Sequence, residues 1–182
     1  MKPMARAAVV AKLRDLLDER GSWAGETHLQ KASFFLQEGA GVPLDLDFIL
    51  YKFGPFSFDL RDELGSYLSK HLMGLKVQGQ YGPRLTSTPE GHALQERFPK
   101  TLGRFDPQLK AVADFLGAKG VGELERLGTA LLFLRQEPHL DDDEVAQRIC
   151  EVKPHVKYAS AVTSSAQVRE FLERIEELSA RR

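Results

Sequence analysis

The chain has very little cysteine, since Cys150 is the only one among its 182 residues. A single thiol cannot form an internal disulfide or supply a zinc site built from several cysteines. Long hydrophobic runs are also lacking, and no stretch approaches the roughly 20 apolar residues that span a membrane. The histidines, at positions 28, 71, 92, 139 and 155, do not have the spacing of metal ligands. We therefore expect no metal, no cofactor and no membrane segment.

An excess of charge of one sign is missing as well, because 25 basic and 26 acidic residues leave a net charge of −1. A nearly neutral chain does not attract nucleic acid over its whole surface. The charge is nevertheless uneven, because segment 70–110 carries +4 and the remainder −5. The N-terminal residues 1–6 lack the apolar core of a signal peptide, so we expect a cytoplasmic protein.

Hydrophobic spacing predicts a winged-helix-like lobe over residues 1–100. The order of predicted elements in this lobe is helix, helix, strand, helix and two-stranded wing, followed by one more helix. Both faces of the strand are apolar, which indicates that it is covered on both sides by the protein, or on one side by the protein and on the other by a partner. The predicted elements are a helix over 5–19, a helix from the N-cap Thr27 to Gly39, a strand over 48–53 stopped by Gly54-Pro55, a helix capped by Ser57, wing strands over 75–78 and 84–87 around a tip that includes Gly79, and a helix opened by Thr88-Pro89.

From residue 101 to 182 the pattern is helical only, which predicts a four-helix lobe packed with the first as one compact unit. The fold class is therefore mainly α with a small β wing. Segment 99–106 is interpreted as a hinge between the lobes. Leu131 and Phe171 lie on apolar stripes that we assign to the core. The predicted helices begin at Asp106-Pro107, cover 121–135 and 141–152, and end with 164–180, which starts in a capping box of Ser164 and Gln167.

No residue pattern indicates a catalytic site. Ser57 and Ser66 lie outside any nucleophile-elbow motif, and Cys150 sits within a predicted helix. The acidic run 141–144 lies where a helix begins, so its charge complements the helix dipole and does not suggest a cation site. We expect that the protein is not an enzyme.

Two stretches carry a resemblance to known proteins. The first is Leu29-Gln30-Lys31 with Phe34-Phe35-Leu36-Gln37, followed by Tyr51-Lys52-Phe53-Gly54-Pro55-Phe56-Ser57 and Leu60; the second is 124–131 with Lys153-Pro154-His155. Over residues 5–180 the chain resembles the YwgA-like bacterial family. Over residues 27–70 it is distantly similar to Panacea-type antitoxin domains and to the C-terminal domain of DarG, the antitoxin that opposes the DNA-modifying toxin DarT. The resemblance implies a non-enzymatic module that binds protein, DNA or both.

The first functional hypothesis is a non-catalytic, antitoxin-like binding module that neutralises or regulates a partner protein, such as a toxin or a DNA-acting enzyme. Large aromatic residues on a short strand are typical anchors of protein interfaces. We expect Phe53 to be structural and Tyr51 or Phe56 to face the partner, although a purely structural turn at Gly54 explains the same residues. The candidate partner-binding residues are Tyr51, Phe56, Asp59, Asp62 and Glu63.

The alternative hypothesis is a winged-helix transcriptional regulator that binds double-stranded DNA. Its phosphate contacts would come from Lys70, Lys76 and Arg84, in and beside the wing. The helix in the recognition position carries Asp59, Asp62 and Glu63, however, and these carboxylates repel phosphate. The sequence leaves both hypotheses open, together with the oligomeric state.

Overall fold

The computed structural model describes residues 1–78 and 81–180, so Gly79 in the predicted wing tip lies outside the described residues. The described part is mainly helical with two small antiparallel hairpins, which confirms the predicted fold class. The helices are α1 (Pro3–Glu19), α2 (Glu26–Phe34) with a π-helical turn (Phe35–Gly39), α3 (Phe58–Ser69), α4 (Pro89–Glu96), α5 (Pro99–Leu116), α6 (Val121–Gln136), α7 (Asp142–Val152) and α8 (Tyr158–Ala180); the strands are β1 (Ile49–Tyr51), β2 (Gly54–Phe56), β3 (Gly74–Gln78) and β4 (Tyr81–Thr86).

The first hairpin replaces the single strand that the sequence predicts over 48–53. In it, β1 pairs with β2 so that Ile49 lies opposite Phe56 and Tyr51 lies opposite Gly54. Gly54 has a φ of +88°, a conformation open to glycine, so the chain turns back where the sequence predicts a stop. The prediction that this strand is covered on both faces is wrong, because all of β1 is exposed.

The second hairpin is the wing, which we define as β3 and β4. It forms as predicted, with Leu75 opposite Leu85 and Lys76 opposite Arg84. The wing is joined to the loop before α2, because the backbone N–H of Leu85 donates to the carbonyl of Ala24 at 3.1 Å. This hydrogen bond attaches β4 to the segment between α1 and α2.

Several helix boundaries follow local chemistry. The Ser57 hydroxyl accepts from the Leu60 N–H, the Thr88 hydroxyl accepts from the Gly91 N–H, and Asp141 forms a capping box with Glu144. These caps satisfy donors that the first turn of a helix leaves free. The caps predicted at Ser57 and Thr88 are confirmed.

Other helix boundaries differ from the predictions, because the burial of apolar side chains outweighs the proline and capping signals in the local sequence. The predicted hinge is part of α5, which begins at Pro99 and continues through Pro107 because Phe105 and Leu109 keep one buried face. Helix α8 begins at Tyr158, so Ser164 is a buried residue inside it and not a cap. The N-cap of α2 is Gly25 and not Thr27.

A single hydrophobic core extends across both predicted lobes. Helix α1 packs against α5, and α2 packs against α6. Three rings from the π-helical turn, α5 and α8 meet in its centre, with Phe115 stacked on Phe171 at 4.9 Å and Phe35 at 5.6 and 5.4 Å from them. The boundary between lobes at residue 100 stays a prediction. In the part of the chain that the structure describes, no helix is both long and apolar enough to cross a membrane.

Truncation of core side chains should destabilise the fold. Leu131 and Phe171 are buried, as the sequence predicts, so Leu131→Ala and Phe171→Ala should each lower the free energy of unfolding by about 2–5 kcal/mol. Urea denaturation measures this change. Val77→Ala on the exposed surface of the wing is the control and should change the stability by less than about 0.5 kcal/mol. Equal small effects at all three positions would show that these faces do not form the core.

Candidate functional site

An aromatic cluster lies exposed on the first hairpin and the start of α3. We call it the aromatic hairpin face and define it by Ile49, Tyr51, Phe56 and Phe58. The ring centroids of Tyr51, Phe56 and Phe58 are 5.1–5.7 Å apart. Tyr51 is nevertheless 44% exposed and Phe58 40% exposed. Contiguous exposed apolar surfaces often serve as interaction sites in folded proteins, which makes this surface the candidate site.

Strand alternation brings these side chains to one face. Ile49 and Tyr51 are two positions apart on β1, and Phe56 lies opposite Ile49 on β2. Phe53 is at the turn of the hairpin, where it is 60% exposed. The prediction that Phe53 is structural is therefore wrong, because the hairpin carries this ring away from the core. The expectation that Tyr51 or Phe56 meets a partner stays a prediction.

Polar side chains of α2 hold this hairpin from inside the core. The amide of Gln30 donates to the Ser57 carbonyl at 2.8 Å and accepts from the Ser57 N–H at 2.9 Å. The ammonium of Lys31, only 1% exposed, donates to the Pro55 carbonyl at 3.0 Å. These bonds fix the backbone directly behind Phe56, so the aromatic hairpin face is presented in a defined position.

The first turns of α6 press against the same hairpin. A Cβ atom on Gly54 would lie 3.1 Å from the Thr129 hydroxyl and 3.2 Å from the Glu125 carbonyl. At Gly128 a Cβ atom would lie 3.2 Å from the Pro55 ring. Both glycines thus permit a close approach of backbones, and a larger residue at either position would push the hairpin off α6.

The surroundings of the buried Lys31 side chain disfavour its protonated form. Burial lowers the pKa of Lys31 to about 8, while the nearby Glu125 carboxylate raises this pKa and the Lys153 ammonium lowers it further. The carbonyl of Pro55 is its hydrogen-bond acceptor. Lys31 was not a candidate residue in the sequence, because a lysine on a helix is ordinarily exposed.

Two of the acidic residues predicted to meet a partner lie on the surface beside the aromatic hairpin face. Asp59 and Asp62 are exposed on α3, and the Arg61 guanidinium lies 3.1 Å from Asp62 and 4.9 Å from the centre of the Phe58 ring. Glu63 differs, because its carboxylate accepts from Arg6 at 3.0 Å and from the Tyr67 hydroxyl at 2.5 Å. Glu63 thus stabilises the contact between α1 and α3.

The basic residues predicted to contact DNA also include two that are exposed and one that is bound within the protein. Lys70 and Lys76 are exposed. Arg84 instead forms an ion pair with Asp18 of α1, and Asp18 also accepts from Arg14 at 2.9 Å. The partner of Arg84 is 66 residues away in the sequence, so no local pattern could reveal this pairing.

A cavity of about 470 Å³ lies between the loop before α2, the wing and the start of α6. Its lining includes Trp23, His28, Pro83 and Val121. Burial lowers the pKa of His28, which keeps its imidazole neutral. Neither Trp23 nor His28 was a candidate in the sequence analysis, although Trp23 is the single tryptophan of the chain and could have been noted.

Among the described residues, no group of three or more His, Cys, Asp or Glu side chains could hold a metal ion.

The lowered pKa of Lys31 predicts a specific dependence of stability on pH. Between the folded pKa of about 8 and the ordinary lysine value of 10.5, the unfolded chain binds a proton that the folded protein does not. The free energy of unfolding should therefore rise with pH in this window, by an amount that Lys31→Met abolishes. Urea denaturation at several pH values across the window measures the difference.

The control for this experiment is Lys70→Met, which removes the same charge from an exposed position. The free energy of unfolding of the wild type minus that of Lys31→Met should increase from the lower to the upper end of the window. A constant difference would contradict the lowered pKa of Lys31.

Comparisons with family models and with curated proteins find no relative of the chain. No protein-family model matches the chain, and no curated protein matches it. The resemblance to the YwgA-like family therefore stays a prediction, and the aromatic hairpin face is the feature from which a function can be inferred.

Proposed function

We propose that the protein is a non-catalytic binding module that neutralises or regulates a partner protein in the manner of an antitoxin. The observation that carries this proposal is the exposed aromatic hairpin face. Tyr51 and Phe58 have the size and partial exposure of interface anchors, and the bonds of Gln30 and Lys31 restrict the movement of the hairpin. A surface that is already ordered loses little conformational entropy when it binds.

Charge around the aromatic hairpin face favours one kind of partner surface. Asp59 and Asp62 are exposed beside Phe58, and because Arg61 pairs with Asp62, the margin that α3 gives to the apolar anchors has an excess of one negative charge. The complementary surface is an apolar cleft bordered by lysine or arginine residues. An enzyme that acts on DNA carries such basic borders, because it must neutralise phosphates. An acidic margin that covers them would block access to the substrate.

A winged-helix regulator of transcription is the second candidate, and the wing supplies the observation that favours it. Lys70 and Lys76 are exposed and have no carboxylate within ion-pair distance among the described residues. The nearby Arg84 is bound to Asp18, however, and α3 exposes Asp59 and Asp62. Two exposed cations form a weak phosphate site, and the carboxylates of α3 oppose the approach of a duplex, so we place this function second.

Disruption of the aromatic hairpin face should abolish partner binding. We would co-express the chain with the product of each adjacent gene and measure growth and complex formation. The double variant Tyr51→Ser with Phe58→Ser should weaken the complex at least about thirtyfold and lose protection, because two aromatic anchors are removed. The matched control is Leu75→Ser with Val77→Ser, which removes two exposed apolar side chains from the wing.

The control variant should bind as tightly as the wild type. Unchanged affinity of the hairpin variant, with thermal melts that show an intact fold, would exclude this face as the docking surface. An adjacent gene product that is neither bound nor restrained by the wild-type chain would contradict the antitoxin-like role.

DNA binding makes a different prediction. At low salt the protein should leave the mobility of a random duplex unchanged at micromolar concentration. If it does retard DNA, the double variant Lys70→Ala with Lys76→Ala should reduce the log–log salt slope of binding by nearly two, since each phosphate contact contributes about 0.9. Retardation that disappears in this variant would favour the regulator over the binding module.

A further inference from the structure

A second cavity, of about 270 Å³, lies where the N-terminal half of α6 meets the connection between α7 and α8. It is formed by the first turns of α6, the segment that joins α7 to α8, and the first turn of α8. We call it the basic pocket and define it by its lining residues that have basic side chains. These are Arg126, Lys153, His155 and Lys157.

The positive charge of the basic pocket is only partly compensated. Lys153 is 4% exposed, yet its ammonium lies 3.7 Å from the Glu125 carboxylate and 3.4 Å from the Lys52 carbonyl, both of which are long contacts. Glu125 is also the carboxylate that acts on Lys31. Glu125 is therefore the nearby opposite charge for two buried ammonium groups, whereas each buried charge ordinarily has an opposite charge of its own.

Arg126 independently indicates that the basic pocket lacks an acceptor for its positive charge. Its Nε atom is buried and has no hydrogen-bond partner among the described residues. Its Nη1 atom donates to the Gly122 carbonyl of the same helix at 3.1 Å, so the guanidinium has no carboxylate partner in the described part of the chain. A buried donor without an acceptor is unfavourable, and an anion bound beside Arg126 in the basic pocket would supply the acceptor.

The first turn of α8 adds further donors. Lys157 and Ser160 contribute to the lining, and the 23-residue helix begins at Tyr158 between them. The start of a helix carries a partial positive charge, which attracts oxygen acceptors with negative charge, while the Ser160 N–H itself donates to the Lys157 carbonyl at 2.9 Å. The Ser160 hydroxyl can donate in addition.

We propose that the basic pocket binds the phosphate group of a small phosphomonoester. With histidine neutral, Arg126, Lys153 and Lys157 against Glu125 leave a formal excess of two positive charges, which matches a phosphate dianion. The volume accommodates a phosphoryl group and a few attached atoms. Arginine and lysine donors with a helix start form a recurrent phosphate-binding combination. This site is separate from the aromatic hairpin face and does not depend on its function.

Titration calorimetry at neutral pH and constant ionic strength tests the proposal. Glycerol 3-phosphate is the probe, and inorganic phosphate and dimethyl phosphate distinguish a monoester from the free anion and from a diester. The wild type should bind glycerol 3-phosphate saturably at one site and dimethyl phosphate at least tenfold more weakly. The double variant Arg126→Gln with Lys157→Gln should lower the affinity for glycerol 3-phosphate at least tenfold.

The matched control is Lys70→Gln with Lys76→Gln, which removes the same charge from exposed positions outside the pocket. It should bind glycerol 3-phosphate as the wild type does. If the pocket double variant does not fold, Lys157→Gln at an exposed position replaces it and should lower the affinity at least threefold.

Three results would overturn the proposal. The first is the absence of saturable binding to the wild type. The second is an equal loss in the pocket and control variants, which would indicate general attraction by surface charge. The third is tighter binding of a single-stranded oligonucleotide without terminal phosphates, which would identify a nucleic-acid backbone as the ligand.

Discussion

The side chains of Gln30 and Lys31 are buried in the core, where they form hydrogen bonds with the backbone at the end of β2 and the start of α3. Gln30 bonds with Ser57, and Lys31 donates to the Pro55 carbonyl. Burying an ammonium group is unfavourable unless its donors are satisfied and an opposite charge lies near. The Pro55 carbonyl supplies the acceptor, and Glu125 supplies the charge. The position of the aromatic hairpin face thus depends on polar contacts made inside the protein and not on the two short strands alone, which are too small to be stable by themselves.

Helix α6 connects this hairpin to the rest of the molecule. Its Gly128 and Thr129 lie against Gly54 and Pro55, while Glu125 faces the ammonium groups of the buried lysines. The same helix contributes Arg126 to the basic pocket. The aromatic hairpin face and the basic pocket are therefore neighbours on α6, because Glu125 acts on Lys31 behind the hairpin and also lines the pocket. The Lys153 ammonium of the pocket lies 3.7 Å from Glu125 and 3.4 Å from the Lys52 carbonyl of the hairpin turn.

Elements governed by local chemistry could be predicted from the sequence. The stripes of α1 and α6, the caps at Ser57 and Thr88, and the hairpin of the wing each depend on residues within a few positions. These signals establish the mainly helical class with its small wing. They also place Leu131 and Phe171 in the core.

Features that depend on distant contacts could not be predicted. The continuation of α5 through Pro107 depends on packing against α1, and the pairing of Arg84 with Asp18 joins residues far apart in the sequence. Phe53 illustrates the limit at the candidate site, because an apolar pattern does not show whether a ring faces the core or the solvent. The burial of Lys31 gives no sequence signal, since it arises only when α2, α6 and the hairpin meet.

Hydrogen exchange at the Ser57 amide tests most directly whether the core holds the aromatic hairpin face in place. This N–H donates to the Gln30 side chain, so Gln30→Leu removes its acceptor while keeping a side chain of similar size. The account predicts that Ser57 and the amides of β1 and β2 exchange at least about tenfold faster in the variant, while the amides of α6 keep their protection. Unchanged protection at Ser57, or equal acceleration throughout α6 and the hairpin, would contradict it.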